Sequence, residues 1–382
     1  MTISLIAHGG AGWAGGSEYI RNLARAIRAA DSSARLTLLC GEPLRAEFGP
    51  HAALFDDVVP VPVKNRASLL GRFRKTNGDF LRAVERSGAD FVYPLTYDNG
   101  YNLGATFPLG LRARWAGWVP DFQHRHLPQL FSPKEIARRD RGIEALIAEA
   151  PLLVFSSKSA AGDFARFFPD AKNKTAVLTF ATFPQAEWYE PFTGEDLAWL
   201  PPRFFAVCNQ FWSHKNHALV FRALELLAAR GIRPAIICTG ALVDYRKPDY
   251  AGAILQQIHR AGLGAQVMLL GMVPRRLQIE LIRRSLAVVQ PSKFEGWSTV
   301  VEDARVLGKP MLLSDLAVHK EQNPPGARFF NPDDSAALAS LLETAWTGLF
   351  PGPDASAEAA ARARADTRIV EVGQNFLAIA NA

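Results

Sequence analysis

Short apolar runs alternate with helical periodicity along most of the chain. A run of four to eight apolar residues is typical of a buried strand, whereas apolar residues every three or four positions predict an amphipathic helix. The alternation predicts an α/β protein in which helices cover both faces of parallel sheets. The strands predicted in the first half cover residues 3–7, 36–40, 58–63, 91–95, 115–119 and 152–156. Those predicted in the second half cover residues 204–208, 235–239, 267–270, 286–290 and 311–314.

A proline-rich, aromatic passage, residues 183–202, interrupts this pattern midway. We therefore predict two doubly wound, Rossmann-like domains. Ligands bind such sheets at the carboxyl ends of the strands, so the two domains are expected to face each other across a cleft. The predicted parts are a first domain over residues 1–185, a linker over 186–203, a second domain over 204–355 and a C-terminal helix over 356–382.

The segment after the predicted strand 286–290 carries the strongest chemical signal. It reads FEGWSTVVEDARVLGKP, and Gly296 predicts a tight turn before a helix. Thr299 and Glu302 have the spacing of a capping box that would open this helix. A strand that enters a helix through such a turn presents unpaired N–H groups and partial positive charge, which bind phosphate. The backbone of Trp297, Ser298 and Thr299 is the predicted phosphate contact.

Two acidic residues flank this predicted phosphate site, Glu295 before the turn and Asp303 one turn into the helix. The pattern suits a sugar nucleotide, with the diphosphate on the amides and the hydroxylated rings on the carboxylates. It also resembles the signature of retaining glycosyltransferases of family 4, which have the GT-B fold and two donor-contacting acids with seven residues between them. The resemblance implies that Glu295 contacts the donor sugar and that Asp303 contacts the ribose. The family usually has Glu at the second position, and Glu302 is an ambiguous neighbour.

The segment CNQFWSHKNH, residues 208–217, leaves another predicted strand at the same edge. It resembles the second signature of the family, in which an Arg and a Lys five residues apart neutralise the diphosphate. Lys215 matches the lysine, whereas Gln210 replaces the arginine and supplies hydrogen-bond donors without charge. His214 and His217 have no carboxylate or cysteine at metal-ligand spacing, and we interpret them as local hydrogen-bonding or surface groups.

Two segments of the first half resemble acceptor-side features of the same family. Gly15 and Gly16 form a two-glycine turn before an amphipathic helix, where a ligand can approach the backbone closely. Asp121 and His124 follow the predicted strand 115–119, where many family members carry a His–Asp pair. The resemblance implies that His124 or Asp121 orients a sugar hydroxyl and that His124 is a polar contact near the anomeric carbon. A hydrogen-bonded loop is the alternative.

Composition limits the remaining possibilities. The chain has 382 residues and a formal net charge of +6, and its scattered excess of cations does not indicate nucleic acid binding. Cys40, Cys208 and Cys238 lie in apolar runs, which is typical of core thiols in the cytoplasm. The amino terminus lacks the features of a secretory signal, and no run is long enough for a membrane span. The basic segment 64–75 is compatible with an interfacial helix at the inner face of a membrane, although a solvated helix or loop is favoured.

The leading hypothesis is a retaining hexosyltransferase that uses a nucleoside diphosphate sugar and no metal or other cofactor. The acceptor would be a glycan, a lipid-linked molecule or a small molecule, as in polysaccharide or glycoconjugate synthesis. Two alternatives remain open at this point: a sugar-nucleotide 2-epimerase of the same fold, and a catalytically silent sugar-nucleotide-binding protein. An acidic DxD-like cluster, which would indicate a metal-dependent transferase, is absent from the strand ends.

Overall fold

The computed structural model describes residues 1–10, 14–62, 77–96, 110–193 and 197–382. The chain forms two compact units, of which the first comprises Met1–Phe183 with Thr367–Ala382 and the second Pro184–Asp366. The basic segment 64–75, a candidate membrane contact, lies outside the described residues. None of the described helices is long and apolar enough to cross a bilayer.

The first unit contains a seven-stranded parallel sheet in the order β3-β2-β1-β4-β5-β6-β7. Leu5 on the interior strand β1 lies beside Leu38 on one side and Tyr93 on the other. Both faces are apolar because helices cover both of them. The strands are β1 Thr2–Ile6, β2 Arg35–Gly41, β3 Asp57–Val61, β4 Phe91–Leu95, β5 Arg114–Val119, β6 Leu152–Phe155 and β7 Lys174–Val177. The helices are α1 Ala14–Ala30, α2 Arg45–Phe48, α3 Asn77–Ser87, α4 Gln123–His126, α5 Pro133–Glu149 and α6 Lys158–Phe167.

The second unit contains a six-stranded parallel sheet in the order β10-β9-β8-β11-β12-β13. Its strands are β8 Phe205–Cys208, β9 Ile236–Thr239, β10 Val267–Leu269, β11 Val288–Gln290, β12 Met311–Ser314 and β13 Arg328–Phe330. Its helices are α7 His217–Ala228, α8 Tyr250–Arg260, α9 Arg275–Arg284, α10 Thr299–Val306, α11 Ala317–Gln322 and α12 Ser335–Gly348, followed by α13 Ala355–Asn381. Because β8 and β11 are parallel neighbours, the loops that follow them leave the same edge of the sheet.

These two sheets confirm the predicted α/β class with doubly wound halves. The strands β7 and β13 were not predicted from the sequence. Strand β7 has the sequence KTAV, and its residues are exposed or half-buried at the sheet edge, so it lacks the apolar run of a buried strand. Strand β13 has the three residues RFF at the opposite edge of the other sheet.

The final helix, α13, contributes residues to both units. Its part from Thr367 onward packs on the first unit, where the buried ring of Phe376 lies 5.5 Å from the ring of Tyr93. Gly373 lets this helix approach the backbone of Ala26 in α1, because a side chain at position 373 would overlap the Ala26 carbonyl. The described residues of the passage predicted as a linker, 186–193 and 197–203, belong to the second unit, where Leu197 joins a small apolar cluster with Phe204 and Leu281.

Candidate functional site

Lys215 and Glu295 form an ion pair at the carboxyl edge of the second sheet. Lys215 follows β8 and Glu295 follows β11, so the fold of the sheet brings together residues that are 80 positions apart. Lys215 Nζ lies 2.6 Å from Glu295 Oε1, and the two side chains are only 14% and 8% exposed. Glu295, predicted to contact the donor sugar, and Lys215, predicted to contact the diphosphate, therefore lie in one site.

The carboxylate of Glu295 is held through one oxygen only. Oε1 accepts hydrogen bonds from Lys215 Nζ at 2.6 Å, Ser292 Oγ at 2.6 Å and Gln290 Nε2 at 2.8 Å. Within the part of the chain that the structure describes, no donor reaches Oε2. Burial has the largest single effect and raises the pKa of Glu295, but the nearby positive charge and the hydrogen bonds from Lys215 and Ser292 together outweigh it and hold this pKa below its usual value. Glu295 thus presents one anionic oxygen as an acceptor.

A pair of buried amides fixes the strand ends beneath this ion pair. Asn209 Nδ2 donates to Gln290 Oε1 at 2.7 Å, and Gln290 Nε2 donates back to Asn209 Oδ1 at 3.2 Å. Gln290 Nε2 also lies 3.1 Å from Ser298 Oγ, so this side chain links β8, Glu295 and the start of α10. Sequence reasoning missed Asn209 and Gln290; the available signal was a polar residue directly after or at the end of an apolar strand.

Asn216 holds the lysine loop in place. Its backbone has a φ of 60°, the left-handed conformation that Asn tolerates better than most residues. Its Nδ2 group donates to the carbonyl of Pro291 at 3.0 Å and to that of Pro332 at 2.8 Å. The loops after β8, β11 and β13 are therefore tied together next to Lys215. Gln210, which replaces the family arginine, lies in the same loop, and its carbonyl accepts from the amide of Trp212.

The turn of Gly296, Trp297 and Ser298 leads directly into α10, which begins at Thr299. The predicted capping box was wrong. Ser298 is the N-cap residue, no side chain caps this end, and the carboxylate of Glu302 accepts from Gln322 Nε2 at 2.9 Å. Since the first N–H groups of a helix lack intrahelical acceptors, this end can still donate to an anion.

Asp303 lies one turn into α10, and both of its carboxylate oxygens are paired. Arg275, at the start of α9, donates from Nη1 and Nη2 to the two oxygens at 2.7 Å each. Asp303 is 3% exposed and Arg275 32% exposed, and the guanidinium lies 5.0 Å from the ring centre of Trp188. The structure therefore places a cation next to the acid that the family resemblance assigned to the ribose. No sequence motif marked Arg275.

The histidines of the lysine loop are buried rather than exposed. His214 Nδ1 lies 3.3 Å from Arg246 Nη2, which confirms the first of the two predicted alternatives, local hydrogen bonding, for His214, and neither histidine is a surface group. His217 stacks on Phe211 with ring centres 3.9 Å apart. Burial lowers the pKa of both, that of His217 to about 3. Among the described residues, no three His, Cys, Asp or Glu side chains are arranged to hold a metal ion.

In the first unit, the glycines that need special backbone angles are not the predicted pair. Gly15 and Gly16 lie in the first turn of α1 rather than in a turn before it. Gly9 and Gly10, after β1, have φ angles of +120° and +110°, and a side chain at Gly9 would overlap Ser17. Gly10 N donates to Ser17 Oγ at 3.3 Å. The close approach between loop and helix therefore depends on Gly9 and Gly10.

The predicted acceptor-side residues of the first unit lie in a hydrogen-bonded turn. Asp121 Oδ1 accepts from the amide of Gln123 at 2.9 Å. His124 is fully buried, and its Nε2 lies 3.0 Å from Asp140 Oδ1. Burial lowers the pKa of His124, although Asp140 opposes this shift. Their contact with a sugar stays a prediction.

Known proteins resemble this chain in part of its sequence and in its fold. Residues 196–348 match the family model described as "Glycosyl transferases group 1". No curated protein matches the chain. Among solved structures, Anabaena Alr3699/HepE in complex with UDP and glucose superposes with a TM-score of 0.70 at 17% identity, over 99% of each chain.

Two further structures match over nearly their whole length. Sucrose-phosphate synthase (tll1590) from Thermosynechococcus elongatus has a TM-score of 0.68 at 16% identity, over 100% of this chain and 96% of that one. A glycosyltransferase from Rickettsia africae ESF-5 has a TM-score of 0.67 at 13% identity, over 99% and 97% of the two chains. The predicted resemblance is thereby confirmed: the chain has the GT-B glycosyltransferase fold, and its residues 196–348 form a glycosyl transferases group 1 domain.

Proposed function

We propose that this protein transfers a sugar from a nucleoside diphosphate sugar to an acceptor hydroxyl, with retention at the anomeric carbon. The observation that carries the proposal is the Lys215–Glu295 pair at the strand ends of the glycosyl transferases group 1 domain. A buried cation beside a carboxylate with one available oxygen suits a ligand that is anionic at one end and hydroxylated at the other. A sugar nucleotide combines the two.

Charge stabilisation on the leaving diphosphate is the main task of the protein groups in this reaction. Lys215 supplies the positive charge, and the amides of Trp297 and Thr299 supply donors at the start of α10, whereas the amide of Ser298 donates to Gln322. Gln210 adds uncharged donors where the family has an arginine. Each such preorganised donor contributes about 3 kcal/mol to transition-state stabilisation.

The proposed reaction needs no protein nucleophile. The bond between the anomeric carbon and the diphosphate oxygen breaks, and the acceptor oxygen forms a new bond to the same carbon on the same face. The acceptor proton passes to an oxygen of the leaving diphosphate, and the nucleoside diphosphate is released. The protein orients the two substrates, which is itself a large part of the rate enhancement.

The donor is proposed to lie along the carboxyl edge of the second sheet. Glu295 Oε2 accepts from a hydroxyl of the donor sugar, and the Arg275–Asp303 pair meets the ribose. UDP is the first nucleotide to test, because the Anabaena protein was crystallised with UDP and with UDP-glucose.

The acceptor is proposed to bind the first unit, at the turn of Asp121 and His124 and at the glycine loop of Gly9 and Gly10. It would be a glycan, a lipid-linked molecule or a small molecule, as in the synthesis of polysaccharides or glycoconjugates. Three buried free cysteines suit a reducing compartment, so we place this reaction in the cytoplasm, where lipid-linked acceptors are reached at the membrane surface.

A thermal-shift screen with UDP-, GDP-, ADP- and TDP-sugars tests the donor site. A ligand at a hundred times its dissociation constant stabilises the folded protein by about 2.7 kcal/mol, which is readily measured. Incubation with the best donor alone separates transfer from isomerisation, because an epimerised nucleotide sugar would contradict the proposal. No shift with any donor would also contradict it.

The substitutions Lys215→Met and Glu295→Gln should each lower turnover at least about a hundredfold, since each removes a group in contact with the donor. Lys293→Met is the matched control, because Lys293 lies in the same turn as Glu295 and pairs with the exposed Asp333. Near-normal turnover in both site variants would overturn the assignment.

A further inference from the structure

His319 lies in α11, directly after β12, and its ring has a fixed tautomer. Its Nδ1 atom lies 2.9 Å from the carbonyl oxygen of Ser314. A carbonyl oxygen only accepts hydrogen bonds, so Nδ1 must carry the proton. The other ring nitrogen, Nε2, is then an acceptor whenever the ring is neutral. Burial lowers the pKa of His319, which keeps the ring neutral near pH 7.

The acceptor atom of His319 has no partner in the part of the chain that the structure describes. The ring is 0% exposed, and Nε2 makes no hydrogen bond there. An unsatisfied buried acceptor costs free energy, so such an atom calls for an explanation. A ligand hydroxyl that donates to Nε2 would satisfy it.

The fold places this ring beside the Glu295 site. Gln290, which donates to Glu295, lies in register with Leu313, the residue before Ser314. One turn after His319 in the same helix, Gln322 accepts from the amide of Ser298 at 3.3 Å and donates to the carbonyl of Ser298 at 3.0 Å. The helix α11 is therefore bonded to the turn that carries Glu295. The charges of Glu295 and Lys215 both act on the His319 ring.

We propose that His319 Nε2 and Glu295 Oε2 accept hydrogen bonds from two hydroxyls of the donor sugar, and that His319 thereby determines which sugars are accepted. The inference rests on the proposed function. Both atoms only accept, so the pair selects a sugar with two free hydroxyls at matching positions. A donor with one of these hydroxyls removed, or converted to an ester, leaves one acceptor unsatisfied and is rejected.

The substitution His319→Asn isolates the contribution of Nε2. The Asn side-chain amide can still donate to the Ser314 carbonyl in place of Nδ1, but nothing replaces Nε2. We expect the affinity for the nucleotide sugar, with UDP-glucose as the first probe, to fall about tenfold or more. The affinity for UDP alone should stay within about twofold, which also shows that the variant is folded. His319→Gln, whose longer amide reaches the position of Nε2, should recover part of the loss.

Deoxy and fluoro analogues of the donor sugar provide a second test that needs no variant. One deoxy analogue should bind wild type about tenfold more weakly than the parent sugar, and His319→Asn should bind that analogue and the parent alike. Equal affinities of wild type and His319→Asn for the parent sugar would overturn the inference while leaving the transferase assignment in place. A wild-type protein that binds none of the UDP-, GDP-, ADP- and TDP-sugars would overturn both.

Discussion

Arg275 donates to both carboxylate oxygens of Asp303, at 2.7 Å each, and so neutralises a carboxylate that is almost wholly buried. Arg275→Met removes this cation from the buried charge of Asp303. Because Arg275 is about one-third exposed and water can partly replace it, we expect a loss of about 2 kcal/mol in the free energy of unfolding. Urea unfolding followed by circular dichroism measures this loss.

The exposed pair of Arg230 and Glu343 gives the matched control for that substitution. Arg230→Met should change stability by no more than about 0.5 kcal/mol. Adding Asp303→Asn to Arg275→Met should recover part of the loss, because it removes the buried charge that Arg275 neutralised. Equal effects of Arg275→Met and Arg230→Met would contradict the role of the buried pair.

Two substitutions of Asn216 separate the stabilising effect of its side-chain hydrogen bonds from that of its left-handed backbone conformation. Asn216→Gly keeps the left-handed angle and loses the two hydrogen bonds to Pro291 and Pro332, at a cost of about 2 kcal/mol. Asn216→Ala loses the same bonds and also strains the backbone, at a further cost of about 1 kcal/mol. Thermal and urea unfolding of both variants test the order, which is wild type, then Gly, then Ala. An Ala variant as stable as the Gly variant would contradict it.

Most of the fold could be predicted from the sequence, because buried strands appear as short apolar runs and amphipathic helices as apolar residues every three or four positions. The strands β1, β2, β4 and β8 are short apolar runs, and each was located within a residue or two. The edge strand β7 could not be found in this way, because half-buried residues carry no apolar run. An edge strand is defined by its neighbour rather than by its own composition.

The candidate site was predictable only where it follows a local motif. Glu295 and Lys215 were found from signatures in two loops, and the structure brings them to 2.6 Å. Arg275 lies 28 positions from Asp303, and the pairing depends on how α9 packs beside α10. The predicted capping box was wrong for the same reason, since the carboxylate of Glu302 accepts a hydrogen bond from Gln322, which is 20 positions away. Contacts between distant segments are properties of the fold, and local spacing does not encode them.

Gly240 packs directly against the backbone of the loop that carries Gln210. It has a φ of +119°, and a side chain at this position would overlap the backbone of Asn209 and Gln210. We expect Gly240→Ala to destabilise the protein by more than about 2 kcal/mol and to displace the lysine loop. The loss of affinity for UDP-glucose should then exceed what the fraction of unfolded protein explains. Calorimetric titration of the folded variant at low temperature measures this.

Gly252 is the control for that substitution, because it lies within α8, with open space where a side chain would be. Gly252→Ala should raise stability by about 0.5–1 kcal/mol, since Ala restricts the unfolded chain and favours the helix. A Gly240→Ala variant that behaves like Gly252→Ala would show that the loop tolerates a side chain at position 240.

Because several histidines are buried, we expect the free energy of unfolding to fall in mild acid. The pKa of His217 is about 3 in the folded protein, against an ordinary value of 6.5. Between these values the unfolded chain binds a proton that the folded chain excludes, so stability falls as the pH falls from 6.5 towards 3. Well above pH 6.5, His217 does not change the free energy of unfolding. At pH 5 it lowers this free energy by about 2 kcal/mol.

The substitution His217→Phe isolates this contribution, because a phenyl ring can keep the stack on Phe211 without titrating. Burial lowers the pKa of His124, His214 and His319 as well, so the variant should reduce the pH dependence rather than abolish it. We expect the urea midpoint of wild type to fall more steeply between pH 7 and pH 5 than that of His217→Phe. His259→Gln, at an exposed site in α8, should keep the wild-type slope. If His217→Phe also kept it, His217 would have to be protonated in the folded protein at pH 5, and its stack on Phe211 would then have to be open to water.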